Sequence, residues 1–174
     1  MRRTIPLLLF IVITLAVVPS SIVKAQGPSE KRSLQGLTSI NVLLESLDED
    51  VERLGLTKEQ LQTDAELKLR KAGVHVASDS EAIKDSNIGL LYINVGTHPN
   101  RVANGLYAFS VSVELRQTVK LERDTSITVF LATTYRTKEH FGTVGAEHLR
   151  DQLRASINDK VDVFLNDYLA MNPK

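Results

Sequence analysis

The chain contains neither cysteine nor tryptophan, and only four tyrosines and five phenylalanines stand among its 174 residues. Without cysteine there is no disulfide framework, no thiolate metal ligand and no thiol nucleophile, so the fold must hold by core packing alone. A bacterial lipid anchor that needs a cysteine at the cleavage site is excluded on the same ground. Charge of one sign is also missing: 21 basic residues balance 21 acidic ones. No basic excess is present to attract nucleic acid or an anionic membrane surface. The signatures G-x-S-x-G, H-E-x-x-H, Walker A and G-x-G-x-x-G are absent as well, which removes the commonest hydrolytic and nucleotide-binding classes.

One long apolar run occurs, and it lies at the N-terminus. Arg2 and Arg3 precede Ile5 to Val18, and Val23-Lys24-Ala25 places short residues where a signal peptidase reads. About 20 apolar residues are needed to cross a bilayer, and this run stops short at Pro19-Ser20-Ser21. The expectation is a signal peptide over 1–25, cleaved after Ala25, and an exported product, periplasmic or secreted, with no stable membrane insertion after cleavage. Removal of Arg2, Arg3 and Lys24 leaves 18 basic against 21 acidic residues, a net charge of −3. Residues 26–36 (QGPSEKRSLQG) are polar and aperiodic and read as a flexible leader. Residues 37–174 then form a single domain, long enough to bury its own core.

What is present is strong alternation. In LYAFSVSVELRQTVKL, Tyr107, Phe109, Val111, Val113, Leu115, Val119 and Leu121 share one parity, and Ser110, Ser112, Glu114, Arg116, Thr118 and Lys120 share the other. Successive strand side chains point to opposite faces, so this is a long central strand with one oily side. Strands of the same kind are expected over 38–45, 89–95 and 127–137, with a short one over 74–77. The loop 96–105 is read as closing a hairpin that sets Val95 against Tyr107 and Leu91 against Val111. The acidic run 45–52 reads as a solvated turn, and 78–87 and 138–145 read as loops.

Two helices are legible. Thr57 and Gln60 form an S/T-x-x-Q cap, and Gly73 follows the last turn with Val74 placed to touch Leu69. The second helix, 146–170, carries the stripe Leu149, Leu153, Ile157, Val161, Phe164, Leu165 and Tyr168. The predicted fold is α+β: a two-layer sandwich with a mainly antiparallel sheet of 4–5 strands and two helices on one face, ordered β-α-β-β-β-β-α.

Candidate chemistry is sparse. His140 and His148 each follow a glutamate in KEHFGTVGAEH, and two imidazoles with a carboxylate can bind zinc. Their spacing matches no zinc signature, so a small metal-dependent or hydrolytic enzyme built on this pair is the alternative reading. The sheet face away from the helices is the leading candidate surface. Most of its residues suit water, but Tyr92 and Phe130 exceed what a solvated face needs, and Arg116 and Arg136 lie beside Glu114. Tyr92, Arg116, Phe130 and Arg136 are the expected partner surface.

The segments LTKEQLQTDAELKLRKAGVHV, GLYAFSVSVELRQTVKL and VDVFLNDYLAMNPK resemble small exported bacterial proteins of unassigned activity. The element order resembles periplasmic α/β modules of envelope assembly, such as the TolB N-terminal domain and the outer-membrane activators of penicillin-binding proteins. That resemblance implies no catalytic residue and no cofactor. The sequence therefore points to an exported, non-enzymatic binding or protein-interaction module of the cell envelope, with an envelope protein as partner and an oligomeric state left open.

Overall fold

The computed structural model describes residues 27–100 and 105–173. The signal segment read over 1–25 lies outside the described residues. Along the chain come α1 (Pro28–Arg32), β1 (Ser39–Leu44), α2 (Glu49–Arg53), α3 (Lys58–Lys71), β2 (His75–Val76) and α4 (Asp79–Ala82). They are followed by β3 (Gly89–Pro99), β4 (Leu106–Leu121), β5 (Asp124–Arg136), β6 (His140–Gly145) and α5 (Ala146–Met171). The strands form one six-stranded sheet in the order β2-β1-β3-β4-β5, with β6 also paired to β4. The α+β reading with a largely antiparallel sheet holds. Its parallel part is confined to β1, which lies between β2 and β3 and turns Ile40, Val42 and Leu44 to the core.

The core lies between one sheet face and the helices. Ile40, Val42, Leu44, Leu91, Ile93, Val111, Val113 and Leu115 are all buried, facing Leu61, Ala65 and Leu69 of α3 and Leu149, Leu153, Val161 and Phe164 of α5. The ends of α3 form as its sequence requires. Thr57 Oγ1 accepts from the Gln60 backbone N–H at 3.3 Å. At the other end Gly73 takes φ 82°, Val74 N–H donates to Leu69 O and Gly73 N–H donates to Arg70 O. Both bonds together are a Schellman stop, which needs the left-handed residue that glycine supplies cheaply.

Several expectations are corrected. The β3–β4 register sets Val95 opposite Val111 and Leu91 opposite Leu115, four residues from the expected pairing. The cause is that Gly96-Thr97-His98-Pro99 continues the strand instead of turning. Because four is even, the inner face is unchanged. Residues 140–145, expected as loop, form β6, which pairs with Leu106–Val111. In 78–87, Ser78 and Glu81 make a reciprocal capping box that starts α4. The acidic stretch folds as α2 because Leu47, Val51 and Leu56 all reach the core.

The segment read as a flexible leader contains α1, and Leu34 and Leu37 behind it are buried. Bonds tie this stretch to α5 and its C-cap: Lys31 to Asp167 at 2.5 Å, Gly36 N–H to Asn172 Oδ1 at 2.8 Å, Asn172 Nδ2 to Leu34 O at 2.9 Å, and Tyr168 OH to Leu37 O at 2.7 Å. Local polarity hid Leu34, whose bonded partner Asn172 is 138 residues away.

β4 has one edge on β3 and shares the other between two strands. β6 pairs its first half, and β5 pairs Glu114–Leu121. At the junction Thr137 N–H donates to Val113 O, and Val113 N–H donates to Thr137 Oγ1 at 3.1 Å. β3 begins opposite Arg116, so beyond that point β4 and β5 pair only with each other as a projecting arm.

Candidate functional site

The sheet face opposite the helices carries a polar cluster centred on Glu114, a carboxylate only 7% exposed. Arg136 Nη2 lies 2.7 Å from its Oε1, and Arg116 Nε and Nη2 both lie 3.1 Å from its Oε2. Thr133 Oγ1 donates to the same oxygen at 3.0 Å. Two guanidiniums and a hydroxyl thus compensate one desolvated carboxylate, as burial of a charge demands.

Strand geometry explains the grouping. Glu114 and Arg116 alternate along one face of β4, and the ladder sets Arg136 opposite Glu114 and Thr133 opposite Arg116. Tyr92, opposite Glu114 on β3, receives the Arg116 guanidinium 3.6 Å above its ring. Burial raises the Tyr92 phenol above its ordinary value, and a hydrogen bond to Glu45 adds to the shift. Glu45 in turn accepts from Asn94, so the network runs from β5 across β4 to the end of β1.

Three of the four predicted surface residues, Tyr92, Arg116 and Arg136, therefore belong to one cluster. Phe130 stands apart on the projecting arm, 72% exposed. Two details differ from simple alternation. Thr133, not Thr134, reaches Glu114, because Leu131 at φ 55° and register shifts near Arg116 and Gln117 interrupt the ladder. Thr134 Oγ1 instead accepts from Gln117 Nε2 and donates to Leu115 O. Gln117 is the one polar residue in the inner row of β4, and the ladder shifts register beside it. Ser112, read as a wet residue, is 8% exposed beneath longer neighbours.

The polar cluster grades into a shallow hollow of about 200 Å³ lined by Gly96, His98, Ala108, Phe109, Ser110 and Phe141. Phe141 stands over it 69% exposed. A larger cavity of about 580 Å³ lies where the first turns of α3 and α5 meet. Both of its arginines are engaged by carboxylates, Arg154 with Asp64 at 2.7 Å and Arg150 with Asp151 at 3.1 Å.

The histidines of the alternative reading sit in different settings. His140 is on β6 opposite Val111, its ring 5.5 Å from Phe109. His148 is on the exposed first turn of α5, with Nε2 3.8 Å from Glu147. Among the described residues no group of three or more His, Asp or Glu side chains is arranged to hold a metal ion. No described helix is long and apolar enough to cross a membrane.

No protein-family model matches the chain, and no curated protein matches it. Among solved structures, it is similar to a minor lipoprotein from Acinetobacter baumannii, with 14% identity and a TM-score of 0.40 over 77% of this chain and 94% of that one. It is also similar to a lipoprotein from Neisseria meningitidis, with 16% identity and a TM-score of 0.36 over 75% and 99% of the two chains.

Proposed function

We propose that this protein is an exported, non-enzymatic interaction module of the bacterial cell envelope, which docks a protein partner on the sheet face around Tyr92, Arg116 and Arg136. The observation that carries the reading is the stacked and bridged arrangement of Arg116. Its guanidinium lies on Tyr92 and against Glu114, so its orientation is set before any partner arrives. Tyrosine and arginine are the residue types that dominate binding energy at protein interfaces, and little entropy is lost when they are already held. Arg136, bonded to Glu114 and 58% exposed, stands at the edge of this surface, and the hollow under Phe141 takes an apolar group.

Affinity capture from periplasmic extract with residues 26–174 as bait tests the reading. Tyr92→Ala and Arg136→Gln should weaken recovery of the partner in proteins that circular dichroism shows to be folded, and Arg136→Gln should also lower the urea midpoint because Glu114 loses one of its guanidiniums. Recovery unchanged in both variants would place the partner elsewhere. The address rests on the N-terminal pattern and is tested separately. Expression of the full chain in a Gram-negative host should give a soluble periplasmic product beginning at Gln26. Met1 retained in the membrane fraction would contradict that.

A further inference from the structure

The edges of an open sheet leave strand N–H and C=O groups that another chain can bond. Here they are β2 on one side, and β5 and β6 in tandem along β4 on the other. β2 has only two residues, and the capped turn of α4 follows it. β5 is interrupted: its ladder shifts register at three places, Leu131 stands at φ 55°, and Ser33 Oγ donates to Thr134 O at 3.2 Å. Bulges and a covering segment are the usual protection of an edge. β6 has no such interruption. Its six residues pair with Leu106–Val111 in unbroken register, and none of them is Lys, Arg, Asp, Glu or Pro.

Ala146 N–H donates to Gly105 O at 2.7 Å, which fixes the phase of that ladder. Alternate residues of an antiparallel pair turn both backbone groups to the neighbouring strand, so His140, Gly142 and Val144 bond β4 while Phe141 and Thr143 turn theirs away. Among the described residues no backbone bond from another element reaches the N–H or C=O of either. Both side chains are exposed, and Phe141, opposite Ser110, stands on the same sheet face as Glu114.

We infer that β6 is a strand-addition edge, on which the envelope partner lays an extended segment of its own chain. The inference rests on the docking reading above and names the form in which that partner arrives. Backbone groups repeated at strand spacing are matched by another extended backbone, which supplies the affinity while side chains select the sequence. The added residue beside Phe141 lengthens the row Gly96, Ser110 and Phe141 by one position, and an apolar side chain there packs on a ring 69% exposed. On the helix side the segment runs past Gly142 and Val144, which offer it no charge. The segment that fits is therefore uncharged, free of proline and apolar beside Phe141. The Glu114 cluster lies on the same face, so one partner reaches the edge and the cluster together.

A display library of short unstructured peptides, panned on residues 26–174, tests the inference. Uncharged, proline-free peptides with apolar residues should be enriched, and their addition should slow hydrogen exchange at the Phe141 and Thr143 amides. Thr143→Pro removes an outward donor while sparing the β4 ladder, and peptide binding should fall by about tenfold or more. In synthetic copies, N-methylation of one alternate set of peptide nitrogens should do the same and N-methylation of the other set should not. That comparison leaves the protein unaltered, so it decides the matter even where the proline variant fails to fold. No enrichment, or peptides indifferent to both changes, overturns the proposal. So does self-association of residues 26–174 in sedimentation velocity that Thr143→Pro abolishes, which gives the edge to a second copy. The docking reading is scored separately by partner capture with Tyr92→Ala. A captured partner that needs Tyr92 but leaves exchange at Phe141 and Thr143 fast keeps the face and overturns the strand.

Discussion

Gly142 on β6 lies directly opposite Phe109 on β4, and the phenyl ring covers the glycine backbone so closely that a Cβ built at 142 would overlap it. The ring replaces the side chain that glycine lacks, and it is 5% exposed as a result. Gly142→Ala should therefore cost about 1–3 kcal/mol by forcing the ring off its seat. Phe109→Ala in the same background should recover part of that cost. Urea denaturation of the two single mutants and the double mutant measures the coupling, and strict additivity would show that the ring moves freely.

Thr137 marks the point where β4 changes partners. Its hydroxyl stands in for a strand carbonyl toward the Val113 N–H. Thr137→Val keeps the shape but leaves that buried donor without its acceptor, so it should cost about 1–3 kcal/mol. Thr137→Ser should be much milder. Hydrogen exchange at the Val113 amide should accelerate in the valine variant and stay slow in the serine variant.

Helix α3 gives a test of its two ends. Thr57→Ala should cost about 1 kcal/mol through the lost first-turn acceptor. Gly73→Val should cost at least as much, because a β-branched residue is forced to positive φ. Unchanged urea midpoints in both would contradict the cap geometry.

The two faces of β4 separate in a third comparison. Val113 is fully buried under the helices, so Val113→Asp places an unpaired carboxylate in the core and should prevent stable folding. Ser112→Asp is not the neutral change that alternation alone implies. It adds a carboxylate at an 8% exposed site two residues from Glu114, and about 1–3 kcal/mol is expected. A Ser112→Asp protein as stable as the parent would show that this face is wetter than the packing indicates.

Alkaline pH should unfold the protein through its tyrosines. Burial raises the phenols of Tyr92 and Tyr168 above the ordinary value near 10, so the folded state disfavours tyrosinate at both. Their contribution is undiminished below the unfolded pKa and is lost as pH rises from there through the folded values. Denaturant midpoints should hold up to about pH 10 and fall above it. In Tyr168→Phe the fall should be shallower, although the bond to Leu37 O is lost at every pH. Equal slopes in the two proteins would remove Tyr168 from the effect.

The readable parts of the fold were those whose cause is local. The cap at Thr57, the stop at Gly73, the α5 stripe and the β4 alternation each depend on residues within a few positions of one another. Glu114 with Arg116 and Arg136 was readable for the same reason, since i,i+2 spacing and a short hairpin put them together. What could not be read depends on distant partners. Leu34 looks like part of a polar leader until α5 is beside it, and 140–145 look like a loop until β4 offers its free edge. Thr133 comes to the face of Glu114 because Leu131 adopts a left-handed conformation that its residue type gives no reason to expect. Gly96 and Pro99, ordinary turn signals, lie inside a strand because the ladder to β4 outweighs them.

Because β3 stops opposite Arg116, the core places no constraint on how far the β4–β5 arm extends. Removing or adding two residues in each of its strands preserves which side every remaining residue faces, and it leaves the helices, β1 and the Glu114 cluster untouched. The distance at which this domain holds whatever the arm touches is therefore a quantity that relatives can change independently of stability, by small paired insertions alone.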